Sequence, residues 1–227
     1  DYTRSVLSWL ESHGRLVVNG RRVVELEMSK VDQHTALRAF GFDVPSTVAV
    51  IGRHDLKARA RGMALPFITK HNQGGKGLGV RRFDSLGDFD DYVDGPDYEH
   101  PVDGITLLQE YLHPVGGYIT RVEIVGGRFL FAMHSSTADR FELCPSDACQ
   151  VPASAPALCP ADGAEDDQDS GPARPSKFRL AQLGANDPLV GRLIALCMGE
   201  GLDQAGIEYV EDVNGERWVY DINGTTN

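Results

Sequence analysis

The chain has 227 residues, 41% hydrophobic and 24% charged, enough for one large or two small domains with cores of their own. No apolar run nears the roughly 18 residues that span a bilayer and no charged-then-apolar signal segment opens the chain, which argues against a membrane partner and points to the cytoplasm. The net charge of −11 (22 Lys and Arg, 33 Asp and Glu) disfavours nucleic acid, but the excess is local: eight acids fall in residues 84–103 and five in 162–169, and the rest can still form a basic cleft for a small phosphorylated ligand.

In chain order, residues 3–13 read as a helix stopped by Gly14, and residues 15–18 as a short apolar run before an Asn19-Gly20 turn. Residues 29–40 form a second predicted helix, with Ser29 and Asp32 as a capping pair and Gly41 as its stop. Residues 44–50 lead into a strand, 53–63 read as a basic helix and 66–71 as a buried strand. The glycine-rich residues 74–79 are a loop, followed by a strand at 80–83, a helix at 85–93, a strand at 105–111 and a turn at 114–117. Residues 119–125 and 128–134 flank Gly126-Gly127 as a predicted hairpin. Residues 144–176, rich in Pro, Ala, Ser and Asp without periodicity, are expected to be a long loop, disordered over its acidic centre. Residues 187–205 read as an amphipathic helix with Leu189, Leu193, Leu196 and Cys197 on one stripe and Gly206 as its stop; residues 207–213 and 217–222 make a second hairpin about Asn214-Gly215. No internal repeat is visible. Beginning at Asp1 and stopping at Asn227 just past a strand, the chain reads as a fragment of a longer protein.

The second hairpin carries the least expected carboxylates. Asp221 and Asn223 stand two apart, so on an extended chain they share a face with Val219, while Tyr220 and Ile222 take the other. Glu208 opens the partner strand, within reach across the ladder. Two carboxylates and an amide oxygen on one face repel unless a cation holds them, and such hard ligands suit Mg²⁺; the plain alternative is an ordinary strand end, where Asp and Asn are common. Lys70 ends an apolar strand and is followed by the loop HNQGGKGLGV. Gly74, Gly75 and Gly77 let backbone N–H groups approach a ligand beside Lys70 and Lys76, which suits phosphate. It is not a Walker loop, because Lys76 precedes Gly77 rather than Ser or Thr, and glycine-rich turns are common without any ligand.

Gln109, Glu110 and Tyr111 close another apolar strand, where they can read an adenine and ribose or simply meet water. Arg121 and His134 on the first hairpin are candidates to reach an anionic substrate, or else solvated strand residues. The cysteines Cys144, Cys149, Cys159 and Cys197 are too few for a disulfide scaffold, lack the paired short spacing of most zinc sites, and have no base nearby in sequence to mark a catalytic thiol. The Asn223-Gly224-Thr225 sequon matters only in a secreted protein.

The order of these pieces resembles the ATP-grasp superfamily and, within it, the RimK-like amino-acid ligases. The resemblance runs through Val18-Asn19, Lys30 with Pro45 fifteen residues on, Pro66-Phe67-Ile68-Thr69-Lys70 and the GGKGLGV loop, then Leu108-Gln109-Glu110-Tyr111, RVEIVGG from Arg121, Gly206-Ile207-Glu208 and Asp221-Ile222-Asn223. It implies an α+β ATP-grasp fold in which two α+β subdomains enclose a nucleotide site. Residues 1–45 would begin the central region, 46–112 form the small lid subdomain with the Gly-rich loop, and 113–227 form the large subdomain with its insertion at 144–176. It implies Lys30 and Lys70 on the phosphates of ATP with the loop residues Gly74, Gly75, Lys76 and Gly77 beside them, and Gln109, Glu110, Tyr111 and Leu112 about the adenine. Mg²⁺ or Mn²⁺ would sit on Glu208, Asp221 and Asn223, with Arg121 as the catalytic side chain. Glu208 stands where the family usually has Asp and Asp221 where it usually has Glu; Glu211 competes with Glu208 if the register differs.

The activity so implied is an ATP- and Mg²⁺-dependent ligase joining a carboxylate to an amine, on an amino acid or peptide. The carboxylate attacks the γ-phosphate to give an acyl phosphate, the metal and the two lysines offset the charge on the phosphate oxygens, and the amine then displaces phosphate. The Gly-rich loop would exclude water as part of a lid. The alternative is a non-catalytic nucleotide-binding regulatory module with the same fold; a zinc-stabilised interaction domain is a third reading, and self-association stays open. After Met133 the family presents a basic run and an Arg-Ser-Asn-like loop, where this chain has His134-Ser135-Ser136-Thr137 and then the Cys- and Asp-rich insertion, so neither substrate is legible.

Overall fold

Two antiparallel sheets face one another across a cleft in a computed structural model that describes residues 2–75, 79–137 and 178–224. The smaller sheet orders its strands β1 (Thr47–Ile51), β4 (Ile105–Glu110), β2 (Phe67–His71) and β3 (Arg81–Phe83). Its outer face is covered by α4 (Leu56–Ala60) and α5 (Leu86–Asp94), the latter capped by Ser85 Oγ, which accepts the Asp88 N–H. Phe67, Phe83 and Phe89 meet here at ring separations of 5.0 to 5.7 Å, an aromatic core suited to a small layer. The basic helix expected over 53–63 shortens to α4, because residues 61–66 turn back through Gly62 into the Pro66 entry of β2.

The larger sheet runs β7 (Phe178–Leu180), β6 (Arg128–Ser136), β5 (Tyr118–Val125), β8 (Gln204–Glu211) and β9 (Arg217–Asn223). Val122, Ile124, Ala132, Ile207, Val219 and Ile222 line its inner face and pack on the helices α2 (Arg21–Glu27), α3 (Lys30–Ala39) and α6 (Pro188–Glu200). Hence residues 23–44, which precede the small sheet in sequence, belong to the core of the large one. The terminal helix α1 (Tyr2–Ser12) buries no residue and touches α2, its Glu11 Oε1 accepting the Arg21 N–H at 2.7 Å.

The structure corrects several expectations. The helix expected over 187–205 ends at Glu200, because Gly201 adopts φ +72° and lets the Leu202 N–H close back on Cys197 O at 2.8 Å. Gln204 and Ala205 are therefore strand residues paired with Val125 and Ile124. Helix α2 and strand β7, seven and three residues long, were not legible. Val219 does not share a face with Asp221. Glu208 pairs with Asp221 and Tyr209 with Val219, so Tyr220 is an extra, bulged residue that sends Val219 into the core and its own ring toward the cleft. Lys76, Gly77, the 144–176 insertion with its three cysteines, and the last sequon residue lie outside the described residues. Cys197 is a core residue whose thiol burial pushes up to about 12, so it serves packing.

Candidate active site

The cleft between the sheets is lined from both sides. From the small sheet come Ile68, Lys70, Gln109, Glu110 and Tyr111, with Gly74, Gly75 and Val80 of the glycine-rich connection; from the large subdomain come Ile119, Glu208, Val210, Tyr220 and Asp221, with Lys30 from α3. One end is apolar, where Leu112 packs on Ile119, Val210 and Tyr220. The other is charged.

Lys30 is placed by its neighbours' hydrogen bonds. Ser29 Oγ caps α3 by accepting the Asp32 N–H at 3.2 Å, while Asn72, two residues beyond Lys70, accepts the Lys30 N–H on its carbonyl (3.2 Å) and the Val31 N–H on Oδ1 (2.9 Å). Asn72 Nδ2 donates to Asp103 Oδ2 at 2.7 Å. On the far side of α3, Gln33 accepts the Ile222 N–H (2.9 Å) and donates to the Ile222 carbonyl (3.0 Å), which locks the helix to β9 beside Asp221. The buried side chains of α3 include Gln33 and His34, and two polar residues on a buried stripe were the available signal for this junction. Neither they nor Asn72 figured in the sequence reading.

The charges are mutually dependent. Lys30 Nζ donates to Asp221 Oδ1 at 2.6 Å, and Asn223 Nδ2 donates to Asp221 Oδ2 at 3.2 Å and lies 3.5 Å from Glu208 Oε1. Lys70 is buried with its Nζ 4.5 Å from the Tyr220 ring centroid. Tyr220 OH donates to Glu208 Oε2 and Arg121 Nη1 to Glu208 Oε1, each at 3.2 Å. Burial and the facing Asp221 raise Glu208 to about 7. Burial would raise Asp221 too, but Lys30 and Lys70 more than offset that and hold it below the usual range. Burial lowers Lys70 to about 8, whereas for Lys30 the attraction of Asp221 outweighs burial and keeps it above its usual value.

Glu208 lies directly opposite Asp221, and Glu211 lies at the far end of the ladder bound to Arg217, so the register brings Glu208 and not Glu211 to the cleft. Arg121 is engaged by Glu123 Oε1 (2.6 Å) as well as Glu208; burial alone would lower its pKa, but these two carboxylates outweigh that and raise it. His134 does not join it: Thr120, not Arg121, is its register partner, so it takes the other face of the sheet. Glu110 lines the cleft but its Oε1 accepts the Ser46 N–H at 2.6 Å, tying β4 to β1. Gln109 is 4% exposed, lines the cleft, and its Oε1 has no hydrogen-bond partner among the described residues.

These residues fit a nucleotide and a divalent cation. An orphaned acceptor beside an apolar slot suits the amino group of a base, and two buried ammonium groups suit phosphate oxygens. Glu208 and Asp221 face each other at a cost that a cation would remove. Among the described residues no three His, Cys, Asp or Glu side chains gather as a metal site, and the third place in this set falls to Asn223, whose amide offers oxygen after a half turn. No described helix is long and apolar enough to cross a membrane.

No family model and no curated protein matches the chain. Solved structures do. The ATP-grasp ligase PsnB complexed with minimal precursor superposes at a TM-score of 0.62 with 17% identity over 99% of this chain and 60% of its own. D-alanine–D-alanine ligase from Bacillus anthracis complexed with ATP gives 0.63 and 14% over 97% of this chain and 63% of its own, and D-cycloserine synthetase DcsG gives 0.66 and 17% over 96% and 70%. This chain thus spans about three fifths of the length of PsnB. It has the α+β ATP-grasp fold, in which two α+β subdomains enclose the cleft.

Proposed function

We propose that the chain is the ATP-binding portion of an ATP- and Mg²⁺-dependent ligase that joins a carboxylate to an amine on an amino acid or peptide, in the manner of the RimK-like enzymes. The observation that carries this reading is the meeting, in one cleft, of two buried lysines with a carboxylate pair and an unsatisfied amide oxygen beside an apolar slot. In this reading Gln109 Oε1 accepts the amino group of adenine, Leu112, Ile119 and Val210 cover its ring, and Lys30 and Lys70 hold phosphate oxygens. Glu208, Asp221 and Asn223 hold Mg²⁺, which when bound would offset charge on the transferring phosphoryl group. The Lys30–Asp221 pair is consistent with that set: each partner would exchange the other for a group of the same sign, Lys30 a phosphate and Asp221 a cation.

Arg121 acts in this reading through Glu208, which it orients and whose raised pKa it opposes, and not by direct contact with the substrate carboxylate. The substrate carboxylate attacks the γ-phosphate and the amine then displaces phosphate from the acyl phosphate; the chain contributes position, electrostatic complement and exclusion of water. PsnB, solved with Mg, ADP and a minimal precursor, supports a peptide as one substrate class, and D-alanine–D-alanine ligase supports an amino acid. The test is incubation with ATP, Mg²⁺ and panels of free amino acids and short peptides, followed by mass spectrometry. An ATP-dependent mass gain equal to condensation, with stoichiometric ADP, is expected; ATP binding without ADP release across the panels would instead favour a regulatory nucleotide-binding module.

A further inference from the structure

Across the thickness of the large sheet from the cleft lies a second concavity, lined by Tyr118, His134, Arg179, Tyr209, Glu211 and Arg217 together with residues 180–183. The register settles which face it occupies. Thr120 pairs with both His134 and Tyr209, and it lies two residues before the core residue Val122; Arg121 and Glu208, one residue along on each strand, point the opposite way into the cleft. The sheet therefore separates this concavity from the phosphate-binding side, and a ligand here takes no part in the transfer itself.

Its charges divide into spent and unspent. Arg217 donates to both oxygens of Asp187 at 2.9 Å and to Glu211 Oε2 at 3.2 Å, so its fork is filled. Arg179 has no ion-pair partner among the described residues; its guanidinium lies 4.9 Å over the Tyr118 ring, which leaves its edge N–H groups available. The Tyr118 ring rests 3.8 Å from the His134 imidazole, whose Nδ1 is 3.0 Å from Thr120 Oγ1, so the other imidazole nitrogen is uncommitted. Burial and the nearby Arg179 hold His134 below its usual pKa, which leaves it a neutral hydrogen-bonding group near pH 7. Glu211 keeps one oxygen with no bond among the described residues. The concavity thus offers one open cation, a carboxylate with one open oxygen and an aromatic wall.

A phosphate would find a single open cation with a carboxylate nearby, whereas a ligand with separated positive and negative groups meets a partner for each. We propose that this concavity is a second binding site, for a free α-amino acid, with the carboxylate on Arg179, the ammonium on Glu211 and the side chain against Tyr118 and Tyr209. It goes beyond the ligase reading and does not depend on it.

The test is calorimetric titration of the purified chain, without nucleotide, with each proteinogenic amino acid at millimolar concentration. At least one is expected to bind, and Arg179→Ala is expected to weaken it by about tenfold or more, the scale of a hydrogen bond to a charged group. Glu211→Gln should weaken the amino acid while leaving the matching carboxylic acid without its amine unchanged. Asp221→Ala should leave the amino acid's affinity unchanged. Binding by no amino acid overturns the site, and so does binding that survives Arg179→Ala. Binding lost on Asp221→Ala but kept on Arg179→Ala would place the amino acid in the cleft, overturning this site while supporting the ligase reading. Arg179 is exposed and Glu211 partly so, and an unchanged melting temperature confirms that each variant folds.

Discussion

The two faces of the large sheet are built from the same strands and do opposite work. On the helix-facing side Val122, Ile124, Ile207, Val219 and Ile222 are at most 1% exposed and fill a continuous apolar core, the kind of burial that stabilises a fold. On the cleft side the next residue along, Arg121, Glu208 or Asp221, is also largely removed from water but is ionisable, and its protonation is set by burial together with its charged neighbours. Burial of that kind is at best neutral for stability. The difference between adjacent residues on one strand separates the face that packs the core from the face that lines the cleft.

The sharpest test of that contrast is Asp221→Ala, which should leave the chain folded while reducing ADP formation by at least about 10²-fold, the scale of losing one preorganised charge-stabilising group. Undiminished turnover in this variant would remove Asp221 from the metal set. Its counterpart is Leu193→Ala, from the fully buried stripe of α6, expected to cost about 2–5 kcal/mol in chemical denaturation without altering nucleotide affinity in the fraction that remains folded. Stability and affinity falling together in both variants would break the distinction.

The junction between the faces should respond to pH. Burial and the charge of Lys70 lower His34 to about 4 from 6.5, so between those values the unfolded chain binds more protons than the folded one. Stability is therefore complete above pH 6.5 and falls as pH drops toward 4, by about 3 kcal/mol. His34→Gln, which keeps a donor for the Tyr220 carbonyl, should flatten this acid limb in denaturation curves, and an unchanged limb would count against a neutral buried imidazole. Lys70 gives the smallest effect. Lowered to about 8 by burial first, it loses its charge as pH rises through that value, so ATP affinity should fall by up to about tenfold per unit above pH 8. In Lys70→Arg the decline should vanish, as measured by binding across pH 7 to about 9.

Much of the fold was legible because its signals are local. Ser29 caps α3 as its spacing with Asp32 suggests, Gly126-Gly127 and Asn214-Gly215 turn their hairpins, and β2 and β4 read as apolar runs. The helix expected to run to Ala205 failed because Gly201, an earlier stop, outweighs the continued apolar pattern. Strand β7 was missed, although β3, equally short and also at a sheet edge, was expected at 80–83. In the site, Lys30, Lys70, Glu208 and Asp221 were named from sequence, whereas Tyr220, Asn72 and Gln33 were not, since their roles are bonds to segments far away in the chain.

Turn chemistry was enough to determine both hairpins, since these rest on spacing within a few residues, whereas the α+β class and the expectation of a nucleotide cleft came from the resemblance of the ordered motifs to the ATP-grasp superfamily. Only the tertiary structure decided that a bulge turns Tyr220 toward Lys70, that Glu208 and not Glu211 faces Asp221, and that Lys30 meets Asp221 across 191 residues of chain. Ladder register and long-range contact set these, and a one-residue shift in either exchanges the two faces of the sheet.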